Sequence, residues 1–272
     1  MDPEFTEGDF TIRSADGQTF RVFRAILAAS SQFWKDLFSI PRPVLNSALD
    51  SPNTDDDVVD VSESALTVRT LLQFTYPISD PTITSLDHLV PVLEASLKFD
   101  MQDATSKLRK LLISPEYLQS SPTRVYAIAC RFELYEEAKI ASRETLRSNI
   151  LDLPLSEDLK YISAYDYHRL LDLHRQRVAA ALDLLRITPN IKCPQCSLTH
   201  YGNTGTPKWW EDFDMRAKEE LHKAPITDTI FSTRFLARSA VAGCQRCGAS
   251  ILESYDYLLE IKASIDKLPD TI

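Results

Sequence analysis

Glycine is scarce in this chain: 6 of 272 residues, with no two adjacent. That leaves no GxGxxG and no GxxxxGK[ST], the loops that wrap nucleotide phosphates in backbone N–H groups. HExxH and GxSxG are missing too, so no zinc-peptidase helix or hydrolase elbow is expected. An enzyme reading has no residue to rest on, and the chain reads as non-enzymatic. No apolar run approaches the ~18 residues that a membrane span needs. The N-terminus lacks a basic stretch followed by an apolar core, so no secretory signal is expected. Basic residues are outnumbered: 30 Lys and Arg against 39 Asp and Glu give a net charge of -9 and a pI near 5.1. That balance disfavours a nucleic-acid partner. Only five cysteines occur, four of them in two CxxC pairs. This fits a reducing compartment with a metal site better than a disulfide scaffold, which predicts a cytoplasmic and/or nuclear protein.

A hydrophobic content of 44% with 25% charged residues is ordinary for a globular protein of one large or two smaller domains. The stretch Gly8–Phe38 organises the chain. Ile12, Phe20 and Val22 are strand-type residues around an Asp16-Gly17 turn. From Ile26 to Phe38 apolar residues recur at spacings of three and four, which predicts two short helices. Residues 40–57 read as an irregular loop with three prolines, and Asp55-Asp56-Asp57 as its solvated part. MDPEF at the N-terminus reads as a cloning remnant. Val58–Val61 is expected as a strand, with Ser62 capping the next helix. Leu66–Phe74, Leu86–Phe99 and Ala104–Leu112 carry further helical stripes.

Asp9, Gly17, Phe20, Arg24, Leu27-Ala28-Ala29, Ser31, Phe33-Trp34 and Phe38 resemble the opening of the BTB/POZ domain in the form found in fungal proteins. Phe23 stands where many members carry His. Leu71-Leu72-x-Phe74-x-Tyr76-Pro77 and Leu97-Lys98-Phe99-Asp100-Met101 resemble two later segments of that family. The resemblance implies an α+β, mostly helical chain: a BTB/POZ core over 8–113, a helical extension over 114–188, and a C-terminal module over 189–272. It also implies self-association as a homodimer. The first strand follows Asp9 almost at once, so that association is expected either to be weak or to use surfaces other than a segment crossing to the partner.

In the extension, Ser114-Pro115 and Ser121-Pro122 are sound helix starts, because proline at the first helical position loses no needed N–H. Cys130 reads as a small buried thiol. Asp166–Ile187 predicts a long helix ended by Thr188-Pro189-Asn190. His168 and His174 lie on different faces of it, and His174 reads as a satisfied core histidine.

Cys193-Pro194-Gln195-Cys196 and Cys244-Gln245-Arg246-Cys247 are the chemistry-bearing motifs. Each pair can place two thiolates on one metal from a tight turn, and two pairs complete the four-sulfur shell of structural zinc. His200 is a substitute ligand in reserve. Gly248 reads as the residue that permits the second tight turn. The 47 residues between the pairs predict structure of their own: a helix from Thr206-Pro207 to Leu221, a helical segment over Ile226–Val241, and a closing helix over Ile251–Leu268 after the second pair. Trp209 and Trp210 are candidates for packing or for a partner-binding anchor.

Together these readings predict a protein–protein interaction module, with BTB-mediated assembly. The family resemblance adds the role of substrate adaptor for a cullin-type ubiquitin ligase, in which a cullin scaffold meets the BTB core and an unknown client meets the zinc-bearing part. The alternatives are a transcriptional regulator binding DNA through the zinc module, and a thiol redox protein using either CxxC.

Overall fold

In the computed structural model, the residues described are 5–40, 58–186, 191–197 and 205–272. The expected loop with Asp55-Asp56-Asp57, the helix end at Thr188-Pro189-Asn190, and His200 lie outside them. The chain is mostly helical with a small sheet and divides into two compact units, Met1–Tyr117 and Leu118–Ile272.

The first unit begins with a hairpin, β1 (Phe10–Arg13) and β2 (Thr19–Val22), paired antiparallel with Ile12 opposite Phe20. β3 (Val58–Asp60) joins β1 in parallel, giving the order β2-β1-β3. Phe10, Ile12, Phe20 and Val22 are buried, as strand alternation over a helical layer demands. Gly17 has φ +83, a left-handed conformation that the turn requires and that glycine adopts without a Cβ penalty. The turn also starts a helix elsewhere: the Asp16 carboxylate accepts from Ala65 N–H at 2.9 Å, the first residue of α3 (Ala65–Thr75). The Ser14 hydroxyl donates to the same carboxylate and, foremost among its neighbours, holds its pKa low.

α1 (Arg24–Ser30) and α2 (Gln32–Ser39) meet at Ser31, whose hydroxyl caps α2 by accepting from Trp34 N–H and donates to Phe99 O at 2.5 Å. Trp34 stacks on Phe99 and meets Phe10 edge-on. Phe23 is 43% exposed, and its N–H donates to the Tyr76 hydroxyl. Ser64 rather than Ser62 caps α3, accepting from Thr67 N–H; Ser62 instead meets Glu63 and Lys98. The expected cap was two residues early because a bend over 62–63 delays the first helical turn. α4 (Leu86–Lys98) and α5 (Gln102–Leu112) follow, joined by Asp100 at φ +47. Phe5, the last residue of MDPEF, packs edge-on against Tyr76 at 5.1 Å, and its carbonyl accepts from Arg21 N–H.

α6 (Pro115–Ser120) carries the chain from the first unit into the second. There α7 (Pro122–Arg131) and α8 (Tyr135–Thr145) pack as a pair, with Val125, Ile128, Ala138 and Ala141 buried. Ser156 caps a 3-10 turn over Glu157–Tyr161. The long α9 (Ala164–Arg186) buries Leu170, Leu173, Ala181 and Leu185. His174 lies in this stripe with its Nε2 3.0 Å from Thr145 Oγ1, a satisfied core histidine. Cys130 is a free, half-buried thiol whose pKa burial raises.

The remaining helices are α10 (Lys208–Lys223), α11 (Thr233–Ala242), α12 (Cys247–Glu253) and α13 (Tyr255–Asp266). Two expectations change here. The segment after Pro225 becomes helical only at Thr233, where Ser232 supplies the cap to Phe235 N–H. The closing helix is two helices, because the chain turns at Ser254. Arg177 is buried on α9 and spends its guanidinium on backbone carbonyls: Pro225, Ile265, Leu268 and Pro269. It thereby caps the C-terminal end of α13, where carbonyls have no helical partner. Among the described residues no helix is long and apolar enough to cross a membrane.

Candidate metal centre

Two tight turns bring four sulfurs together. Ser197 N–H donates to Cys193 O, and the Ser197 hydroxyl accepts from Cys193 N–H at 2.9 Å, closing the first turn on itself. The second forms where α11 ends: Gly243 leads into Cys244, Cys247 N–H donates to Cys244 O, and Cys247 opens α12.

The Sγ atoms of Cys193, Cys196, Cys244 and Cys247 all lie within 4.8 Å of one another. Cys193 and Cys244 are 3.5 Å apart, Cys196 and Cys247 3.6 Å, and Cys244 and Cys247 3.6 Å. These are non-covalent separations, and all four thiols are free. A tetrahedron of sulfurs at the usual zinc–sulfur length of about 2.3 Å has edges of about 3.8 Å, so the cluster fits a four-sulfur metal shell. The backbone favours negative charge there. Lys208 N–H, at the first residue of α10, donates to Cys196 Sγ at 3.5 Å, and Cys244 N–H donates to Cys247 Sγ at 3.2 Å. The start of a helix adds its positive dipole end to these bonds.

Three of the thiols differ in how their surroundings treat a negative charge. Burial pushes the Cys196 pKa up to about 12 and raises that of Cys247. Burial acts the same way on Cys244, but hydrogen bonds from Arg246 N–H and the other three thiols outweigh it, and the value falls to about 7. A bound cation reverses this logic by deprotonating its thiol ligands outright.

Trp209 and Trp210 form the wall behind the cluster. Both indoles are buried, at 0% and 3% exposure, and they meet edge-on at 5.6 Å. The expectation that they offer a partner-binding anchor is therefore corrected: they lie in one apolar core with Phe213, Leu221, Ile251 and Ile261. The Trp209 indole N–H donates to Ser250 Oγ at 2.9 Å, and Ser250 donates to Lys192 O at 3.0 Å. One chain of bonds thus ties α10, α12 and the residue before Cys193.

The glycine that the site needs is Gly243, not Gly248. A Cβ on Gly243 would stand 2.4 Å from Cys247 Sγ, whereas one on Gly248 meets nothing within 4 Å. Sequence reading missed Gly243 because it precedes the motif; its position directly before Cys244 was the available signal.

A comparison with curated proteins finds no match. The family model of the BTB/POZ domain matches residues 3–116, which span the sheet and the helices packed on it. BTB/POZ domains are protein–protein interaction modules, and this chain carries one as its N-terminal part, followed by a helical part with a four-cysteine cluster able to hold a metal ion.

Proposed function

We propose that this chain is a non-enzymatic adaptor, in which the BTB/POZ domain joins a cullin-type scaffold and the C-terminal unit, stapled by one structural zinc ion, recruits a client protein. The observation that carries the reading is the BTB/POZ match over residues 3–116. The zinc assignment draws its support from the donor set. Four thiolates at near-tetrahedral spacing suit a soft or borderline cation held in a closed shell, with no open position for substrate. Bound there, the ion would hold Cys193, Cys196, Cys244 and Cys247 and supply cross-linking of the core. On this reading the protein works in the cytoplasm or nucleus, where thiols stay reduced, and its BTB/POZ domain pairs with a second copy.

The test is calorimetric titration of the zinc-loaded chain with the N-terminal half of a cullin scaffold from the same source. Micromolar or tighter binding is expected. No binding by the folded, metal-replete protein removes the adaptor role and leaves a scaffold.

A further inference from the structure

We infer that the exposed face of α11, with the turn of the second cysteine pair, docks an acidic segment of a partner protein that also carries an apolar side chain. The inference rests on the reading of the C-terminal unit as the recruiting part and names the chemistry of what it recruits.

Residues 229–252 contain no Asp or Glu and three arginines, in a chain of net charge -9. Arg234 and Arg238 are one helical turn apart on the exposed side of α11, about 6 Å along the axis by helical rise. Phe235, Leu236 and Ser239 occupy the buried side. On other helices of this unit three arginines pair with a carboxylate three or four residues away: Arg175 with Asp172, Arg186 with Asp183, and Arg216 with Asp212. α11 holds no Asp or Glu that could do the same. Among the described residues, Arg234 and Arg246 have no carboxylate within ion-pair distance. Arg238 is felt only through space by Asp212, whose carboxylate already holds Arg216 at 2.7 Å.

The same stretch exposes apolar surface. Val241, one turn beyond Arg238, is 87% exposed, and Leu252 on α12 is 75% exposed. Arg246 lies between Cys244 and Cys247, so an ion held by those sulfurs would also fix its backbone relative to the end of α11. Unpaired cations interleaved with exposed aliphatic side chains complement an acidic segment with an apolar anchor. A duplex nucleic acid fits less well. Three cations neutralise few phosphates, and the acidic remainder of the chain repels the rest.

The experiment pans a random peptide phage library, about 12 residues long, on the metal-loaded full chain, with R234E/R238E panned in parallel and the metal content of both counted. The expected result is enrichment of sequences rich in Asp and Glu with an apolar residue. The leading synthetic peptide should then bind at least about tenfold more weakly to R234E/R238E and to Val241→Asp, with metal content unchanged. Neutral or basic selected sequences, no enrichment, or affinity unchanged in the variants would overturn the inference. So would duplex DNA binding that R234E/R238E abolishes, which would assign the face to nucleic acid. Acidic-peptide binding by a chain that holds no metal would sustain the docking face and remove the zinc reading.

Discussion

Gly243 shows how much a single missing Cβ can decide. Its place is filled to within 2.4 Å by the sulfur of Cys247, a ligand candidate that cannot yield without leaving the cluster. Gly243→Ala should weaken metal retention in competition with a chelator and lower stability by about 1–3 kcal/mol, the usual range for overpacking. Gly248→Ala, with open space around it, should leave both unchanged. Equal behaviour of the two variants would show that the turn is not as tight as described. The residue type at both positions is plain in the sequence, but what a Cβ would touch is a three-dimensional fact.

His174 gives a pH dependence with a definite sign. Burial lowers its pKa from about 6.5 to about 4, so the folded chain keeps it neutral where the unfolded chain takes up a proton. Its contribution is fully present above pH 6.5 and is lost as pH falls from there to about 4. The loss is on the order of 3 kcal/mol at most. His174→Gln, which can still bond Thr145, should flatten the stability profile across that window; denaturant melts at each pH read the difference. An identical slope in the variant would place the acid sensitivity elsewhere.

At the scale of elements, the helical stripes were legible wherever apolar residues repeat at three and four, and α9 falls within two residues of its expected span. Ends were less legible, because caps compete. Ser62 and Ser64 are both competent, and the Asp16 carboxylate, forty-nine residues back in the chain, helps fix where α3 starts. The split at Ser254 had no signal in periodicity, which runs unbroken through α12 and α13. Arg177 was hidden for a related reason: an arginine on a helix face reads as solvated, yet this one is 6% exposed and holds four carbonyls. Burial lowers its pKa, and Asp270 and Asp266 work against that. Arg177→Leu should keep the volume but orphan those carbonyls, costing about 2–4 kcal/mol in chemical denaturation. A cost under about 0.5 kcal/mol would mean that water replaces the guanidinium freely.

At the scale of the molecule, the sequence motifs and the family match point to the same N-terminal module. The thirty residues from Gly8 carry turn, strand and helix signals in one order, and that order is what the structure contains. The C-terminal unit was legible in its cysteines and illegible in its tryptophans. Two adjacent indoles say only that large apolar surface exists; whether it faces a core or a partner depends on α10, α11 and α13 closing over it. The ion is expected to substitute for part of that core, on the order of 10 kcal/mol in isolated zinc modules. The most direct test is scanning calorimetry of the metal-loaded full chain before and after complete metal removal by a strong chelator. The transition of the C-terminal unit should be lost or move to much lower temperature while that of the BTB/POZ domain persists. Unchanged melting of both units in verified metal-free protein would contradict it.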